Sequence, residues 1–302
     1  MPVLHQKLSL FLVLLLVGVG FAEDFRCSSC RQSVLRGYQV EGNFYCPACL
    51  YKALPRCKNC NVPIQGDYVA VTMAKHPICL SCRESLPQCF LCSMPCDENR
   101  GGQAFADGRH ACAEHARNGV IDPFEARQIF AQARQELRHA FAGALELKTP
   151  VKEVFLVDLH GLARAAQGTG HSPSLSGGKV LGIATITLST RNGRVRMEPS
   201  TVHLLNQVPP DRLLAVCSHE YAHVWHAENH KDYSKTEAIL REGFAEWVAY
   251  KVAQAHGREE QMKLMLNSGG GIYYQGLQKL LELERQKGVH GVLRYAISAT
   301  SL

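Results

Sequence analysis

From Asp122 onward the apolar positions change period in a way that lays out a mixed domain. Asp122-Pro123 is a cap followed by a first-turn proline. Ile129, Ala133, Leu137 and Phe141 then recur at four-residue spacing, which predicts one apolar helix face carried to about Leu147. Val154 and Leu156 read as a strand. A turn-rich stretch, Ser172 to Gly178, leads into Lys179 to Ser189, a Val/Ile/Thr-rich strand. Asn192-Gly193 marks a turn, with Arg194 to Met197 as its return strand. Thr201 to Val208 is expected to be extended. Pro209-Pro210-Asp211 punctuates the start of a helix running to about Glu228, with Leu213, Leu214, Val216 and Cys217 as its core face. A second helix is expected over Ser234 to Gly257. A third, Tyr273 to Gln286, follows the loop Asn267 to Gly271. The fold class is α+β.

The first 118 residues follow a different rule. His5 and Lys7 precede an apolar run from Leu8 to Val19, and Gly20-Phe21-Ala22 supplies small residues, so residues 1–22 read as a signal peptide. The run is short for a membrane span, with a signal anchor as the alternative. The expected location is secreted or periplasmic, with no stable membrane span once the signal is cleaved.

Of thirteen cysteines, twelve lie between Cys27 and Cys112, and only Cys217 lies beyond. They fall into pairs with two residues between members: Cys27/Cys30, Cys46/Cys49, Cys57/Cys60, Cys79/Cys82, Cys89/Cys92 and Cys112/His115. The closing pairs recur every 33 residues and the opening pairs step by 30 and 32, so the segment is a threefold repeat. Export favours disulfides and C-x-x-C spacing favours zinc. The histidine in the last position favours zinc, because a Cys₃His site is an ordinary tetrahedral zinc set whereas a disulfide framework has no use for it, with disulfides as the alternative. His76 is an alternative ligand of the second set, and Cys96 is left over. Closed four-ligand sites suit binding platforms rather than catalysts.

Within the helix after Pro210, His219-Glu220-Tyr221-Ala222-His223 places two imidazoles four residues apart on one face. Glu242 follows after eighteen intervening residues. A His₂Glu set with an open position is a catalytic zinc arrangement, and Glu220 beside it is placed as general base. Glu246, one turn beyond Glu242, is a candidate to orient a ligand histidine, with an exposed helix carboxylate as the plainer reading. Tyr273 and Tyr274 are candidates by type for a donor to an oxyanion, but packing is the reading taken for both, and neither is counted among the site residues. The net charge of +6, from 33 basic and 27 acidic residues, is spread without a concentrated Lys/Arg block, so nucleic acid is not an expected partner.

The His219-Glu220-Tyr221-Ala222-His223-Val224-Trp225 run, with Arg241-Glu242-Gly243, resembles the LIM-domain peptidases of plant organ-size control and their bacterial relatives, within the gluzincins. Glu242-Gly243-Phe244-Ala245 is also similar to the ligand motif of aminopeptidase N. The resemblance covers about Pro55 to Ala253. It implies a zinc endopeptidase acting on proteins or peptides, one catalytic and up to three structural zincs, and zinc modules that serve substrate or partner recognition. It also implies a sheet edge followed by two ligand-bearing helices. The chain departs from the plant proteins in lacking a ubiquitin-interacting helix and in its export signal. The expected organisation is a signal peptide (1–22), three zinc modules (23–118), a helical connector (119–150) and a peptidase domain (151–302). A zinc-module adaptor with an inactive peptidase domain and an aminopeptidase are the alternatives.

Overall fold

The computed structural model describes residues 4–6, 11–14, 25–34, 36–40, 42–71, 76–167, 180–191, 194–267 and 270–302. The chain divides into two units, Met1–Arg100 and Gly101–Leu302. Apart from 4–6 and 11–14, the expected signal segment lies outside the described residues.

The first unit repeats one local plan. A C-x-x-C turn is followed by an antiparallel hairpin, and the next cysteine caps a short helix. In the first copy Arg36–Val40 pairs with Asn43–Tyr45, and Cys46 caps helix α1 (Pro47–Ala53), its sulfur accepting from the Cys49 amide at 3.4 Å. In the second, Tyr68–Val71 pairs with His76–Cys79, and Cys79 caps α2 (Leu80–Ser85) in the same way, at 3.5 Å from the Cys82 amide. The 33-residue step is thus a step from one strand–cysteine–helix junction to the next. Each C-x-x-C turn also closes on a left-handed residue: Arg31 (φ 63°), Asn61 (φ 61°) and Ser93 (φ 64°), spaced like the opening pairs. The second copy gathers Ile64, Val69, Val71 and Ile78 around Cys57 and Cys82. That is little apolar mass for an independent core, which is why such modules need a further tie.

The second unit begins with the closing half of the same plan: strands Gln103–Ala104 and His110–Ala111 pair, and Cys112 stands before α3 (Ala113–Asn118). A buried ion pair ties this hairpin into the rest of the unit. Arg109 contacts Asp107 at 2.8 Å and donates to the Asn206 carbonyl at 2.9 Å, while Asp107 accepts from the Leu159 amide at 2.9 Å. Next comes α4 (Pro123–Ala140), capped by Asp122, which buries Ile129, Ala133 and Leu137. It stops short of Leu147 because Ala142 (φ 48°) and Gly143 (φ 81°) turn left-handed.

Three strands form the central sheet: β1 (Glu153–Val157), β2 (Gly182–Thr185) and β3 (Thr201–Leu205), with the short helix α5 (Leu159–Ala165) after β1. Among the described residues β3 lies in the middle, parallel to β1 and antiparallel to β2, so β2 is an edge. The stretch expected as one strand to Ser189 is two pieces. After β2, Leu188–Arg191 forms a separate hairpin with Arg194–Met197. The turn residues 192–193, Lys179 and Ser172 to Gly178 lie outside the described residues.

Helices complete the unit: α6 (Pro210–Asn229), α7 (Ala238–Ala255), α8 (Glu259–Leu266) and α9 (Ile272–Ala296), the last broken at Gly288 (φ 67°). The expected helix from Ser234 is delayed to Ala238. Tyr233–Lys235 forms a 3₁₀ turn, and Thr236 and Glu237 are extended, the Glu237 amide donating to Thr300. α7 packs between α6 and α9 and buries Leu240, Phe244, Trp247, Val248 and Val252, with the charged Glu242 buried among them.

Candidate metal centre

Helices α6 and α7 bring three side chains to one point. His219 and His223 Nε2 are 3.1 Å apart, and Glu242 Oε2 lies 3.3 Å from His219 Nε2 and 3.4 Å from His223 Nε2. Ligands of a tetrahedral zinc at about 2.0–2.1 Å sit roughly 3.3–3.4 Å from one another. The near-equilateral triangle fits that shell, so His219, His223 and Glu242 could hold a metal ion. Spacing on two packed helices makes the set: His219 and His223 share a face of α6, and Glu242 points at them from α7.

The surroundings fix these groups. Glu246 Oε2 is 3.2 Å from His219 Nδ1, the ring nitrogen facing away from the triangle, which is where an orienting carboxylate stands in a metal site. Burial opposes a charge on His219, but the Glu242 and Glu246 carboxylates outweigh it and raise its pKa to about 10. Burial would raise Glu242; the two imidazoles hold it well below the usual carboxylate range. Glu220 is buried beside the triangle, and its Oε2 accepts from the Ala184 amide of β2 at 2.7 Å.

Tyr273, from the first turn of α9, sets its ring 5.7 Å from that of His219, tilted by 37°, with Glu242 among the carboxylates near its phenol. Burial and the neighbouring carboxylates push its phenol well above the usual range, so it stays protonated. Its arrival depends on two glycines. A Cβ on Gly243 would lie 2.5 Å from the Gly276 Cα, and one on Gly276 would lie 2.5 Å from the Gly243 Cα. Only bare backbone lets α7 and α9 approach this closely, beside Glu242 and one turn from Tyr273.

Below the triangle, α6 carries His226 and ends at its cap His230, two residues that no sequence motif singles out. Nε2 of His226 is 2.7 Å from the Ala296 carbonyl, and Nε2 of His230 is 2.8 Å from Ala299, so the metal helix is anchored to the end of the chain. His226 is fully buried and burial lowers its pKa to about 3. The 219–223–226–230 spacing on a helix could have pointed to one continuous face, but nothing local shows what the lower pair meets.

In the first unit, Cys27, Cys30, Cys46 and Cys49 form one group and Cys57, Cys60, Cys79 and Cys82 another, each able to hold a metal ion. Cys30 and Cys46 sulfurs are 4.0 Å apart, and Cys60 and Cys79 3.9 Å, near the roughly 3.8 Å separation of thiolates at about 2.3 Å from a tetrahedral zinc. Backbone amides of Cys30 and Cys46 lower the Cys27 thiol to about 6; Cys57 falls to about 7 against burial, through amides of Cys60, Cys79 and Asn59. Amides aimed at sulfur favour the thiolate that binds metal. His76 stands outside the second group. Cys96 is buried, with its sulfur 3.7 Å from the Met94 carbonyl. Of the third set, Cys89 and Cys92 flank the same left-handed turn in the first unit, and Cys112 Sγ is 3.2 Å from His115 Nδ1 in the second. No disulfide links the described cysteines.

Comparison with family models, with curated proteins and with solved structures finds no match to this chain. The site's own geometry therefore carries the functional reading.

Proposed function

We propose that this chain is an exported zinc-dependent endopeptidase of gluzincin type, similar in plan to the LIM-domain peptidases. The observation that carries the reading is the 3.1–3.4 Å triangle of His219, His223 and Glu242 with Glu220 buried beside it. A zinc ion held by those three residues would polarise the scissile carbonyl and make an attacking water more acidic. Glu220 takes the proton of that water and returns it to the leaving amine. Tyr273, kept protonated by its surroundings, donates to the oxygen on which charge develops. The outer edge of β2, which pairs with no strand among the described residues, offers main-chain groups to an extended substrate, which favours cleavage within a chain over attack at its end. The two Cys₄ groups, and a Cys₃His set of Cys89, Cys92, Cys112 and His115, hold structural zinc and serve substrate or partner recognition.

Metal content and peptide cleavage test this together. Purified protein should carry about four zincs per chain, falling to about three in His223→Ala. Glu220→Gln should keep all of them and lose about 10²–10⁴-fold in turnover. A zinc count that ignores His223 would sink the catalytic site, and undiminished cleavage by Glu220→Gln would remove the base.

A further inference from the structure

Glu220 is gripped by the strand beside it. In the ladder between β2 and β3, Leu205 donates to the Leu181 carbonyl at 2.9 Å, and Ile183 lies opposite His203. Alternate residues of an antiparallel strand face its partner, so Leu181, Ile183 and Thr185 turn their main-chain groups toward β3, while Gly182 and Ala184 turn theirs to the free edge. The outward Ala184 N–H is the one that reaches Glu220 Oε2, at 2.7 Å. Two residues earlier the strand passes still closer to α6. A Cβ on Gly182 would lie 2.5 Å from Val216 Cγ1, 2.9 Å from Glu220 Cγ and 3.0 Å from Glu220 Oε1.

We propose that the free edge of β2 is the positioning element for Glu220, with the Ala184 amide fixing Oε2 and the bare Cα of Gly182 leaving room for Oε1. The inference rests on the reading of Glu220 as the base. Glutamate has three side-chain torsions, and on a helix nothing in the His-Glu-x-x-His pattern decides where its carboxylate points. A charge-assisted bond from a main-chain amide decides it. One oxygen is then engaged by the strand and the other is left for the proton. The same edge offers groups to a substrate, so a single element registers both the peptide and the base.

The contact itself is measured on the full chain without any assay of activity. Ile183-Ala184 is the one Ile–Ala step in the sequence. Carbonyl-¹³C isoleucine with ¹⁵N alanine therefore isolates the Ala184 amide in a carbonyl-correlated NMR spectrum. Glu220→Gln and Glu220→Ala should each move that amide proton upfield, and Glu220→Ala should speed its exchange about 10-fold or more. A signal unmoved by both substitutions overturns the proposal. Ala184→Pro removes the N–H, and an outward-facing edge position tolerates proline without loss of the ladder. Its kcat should fall about 10–100-fold, as expected of a misplaced base, with KM and zinc content near those of the wild type. A rise in KM with kcat intact overturns the proposal, because the amide would then serve the substrate alone. A wild-type chain that binds zinc but cleaves no peptide would defeat the peptidase reading, and the NMR result would still judge the contact.

Discussion

His226 shows what one buried side chain does to this molecule. It lies on α6 with no exposure, bonded to Ala296, and burial holds it neutral down to about pH 3. An unfolded histidine takes up a proton near pH 6.5. The folded value is the lower one, so the stability at stake is complete above pH ~6.5 and drains away as the pH falls toward about 3. Between pH ~7 and pH ~5 the loss is about 2 kcal/mol. Urea unfolding of wild type and His226→Gln at those two pH values should show the wild type losing that much more than the variant; parallel curves would show that the site titrates normally. The residues themselves were unequally legible. The grouping of His219, His223 and Glu242 could be read because helical periodicity and ligand chemistry both depend on spacing. The left-handed Arg31 and Ser93 could not, since neither residue type favours that conformation and only the cysteines around them hint at the turn. Arg31→Gly should therefore stabilise the first module by about 1 kcal/mol, as removal of a left-handed Cβ does, readable as a higher midpoint of thermal unfolding.

Between elements, the crossing of α7 and α9 sets the geometry of the centre. Gly243→Ala offers a gain of about 1 kcal/mol in helix propensity. Against it stands a Cβ 2.5 Å from the Gly276 Cα, backbone against backbone, with no flexible side chain to give way. Overpacking of this kind costs about 1–3 kcal/mol, and a forced separation of the helices adds to that. Gly243→Ala should thus lower the unfolding midpoint and also weaken zinc binding, because Glu242 is its neighbour and Tyr273 rides on the displaced helix. A stabilised protein with unaltered zinc affinity would contradict the crossing. The helices were broadly legible from their apolar periods, and β2 was legible as a strand from its Val/Ile/Thr content, while its place at the edge came only from the layout the resemblance implies. Their ends were not. The break after Ala140 depends on a non-glycine left-handed residue, Ala142, and the delayed start of α7 on the Glu237 amide bonding to Thr300, sixty-three residues away in sequence. Tyr273 entered the site for the same reason: the glycine pair that brings it there is visible as two glycines but not as a contact.

At the scale of the whole molecule, the two units rest on different physics. The first unit has short hairpins, short helices and a few apolar residues around each cysteine group, each of which could hold a metal ion, and on the proposed reading that metal supplies much of its folding free energy. The second unit buries an extensive core along α4, α6, α7 and α9 and holds it with polar ties such as Glu136, which accepts from Arg258 at 2.6 and 2.7 Å. Its metal triangle joins helices that already pack against each other. Chelation at neutral pH should therefore unfold the first unit and leave most of the second intact. Far-UV circular dichroism should lose only a minor part of its helical signal. Limited proteolysis should cut between Cys27 and Arg100 while sparing the stretch from Pro123 onward, and restored zinc should reverse the cutting. Loss of the whole helical signal on chelation would mean that the catalytic metal, not the packed core, holds the second unit together. The same experiment separates zinc from disulfides in the cysteine groups, because a disulfide framework would ignore the chelator and yield only to a reductant.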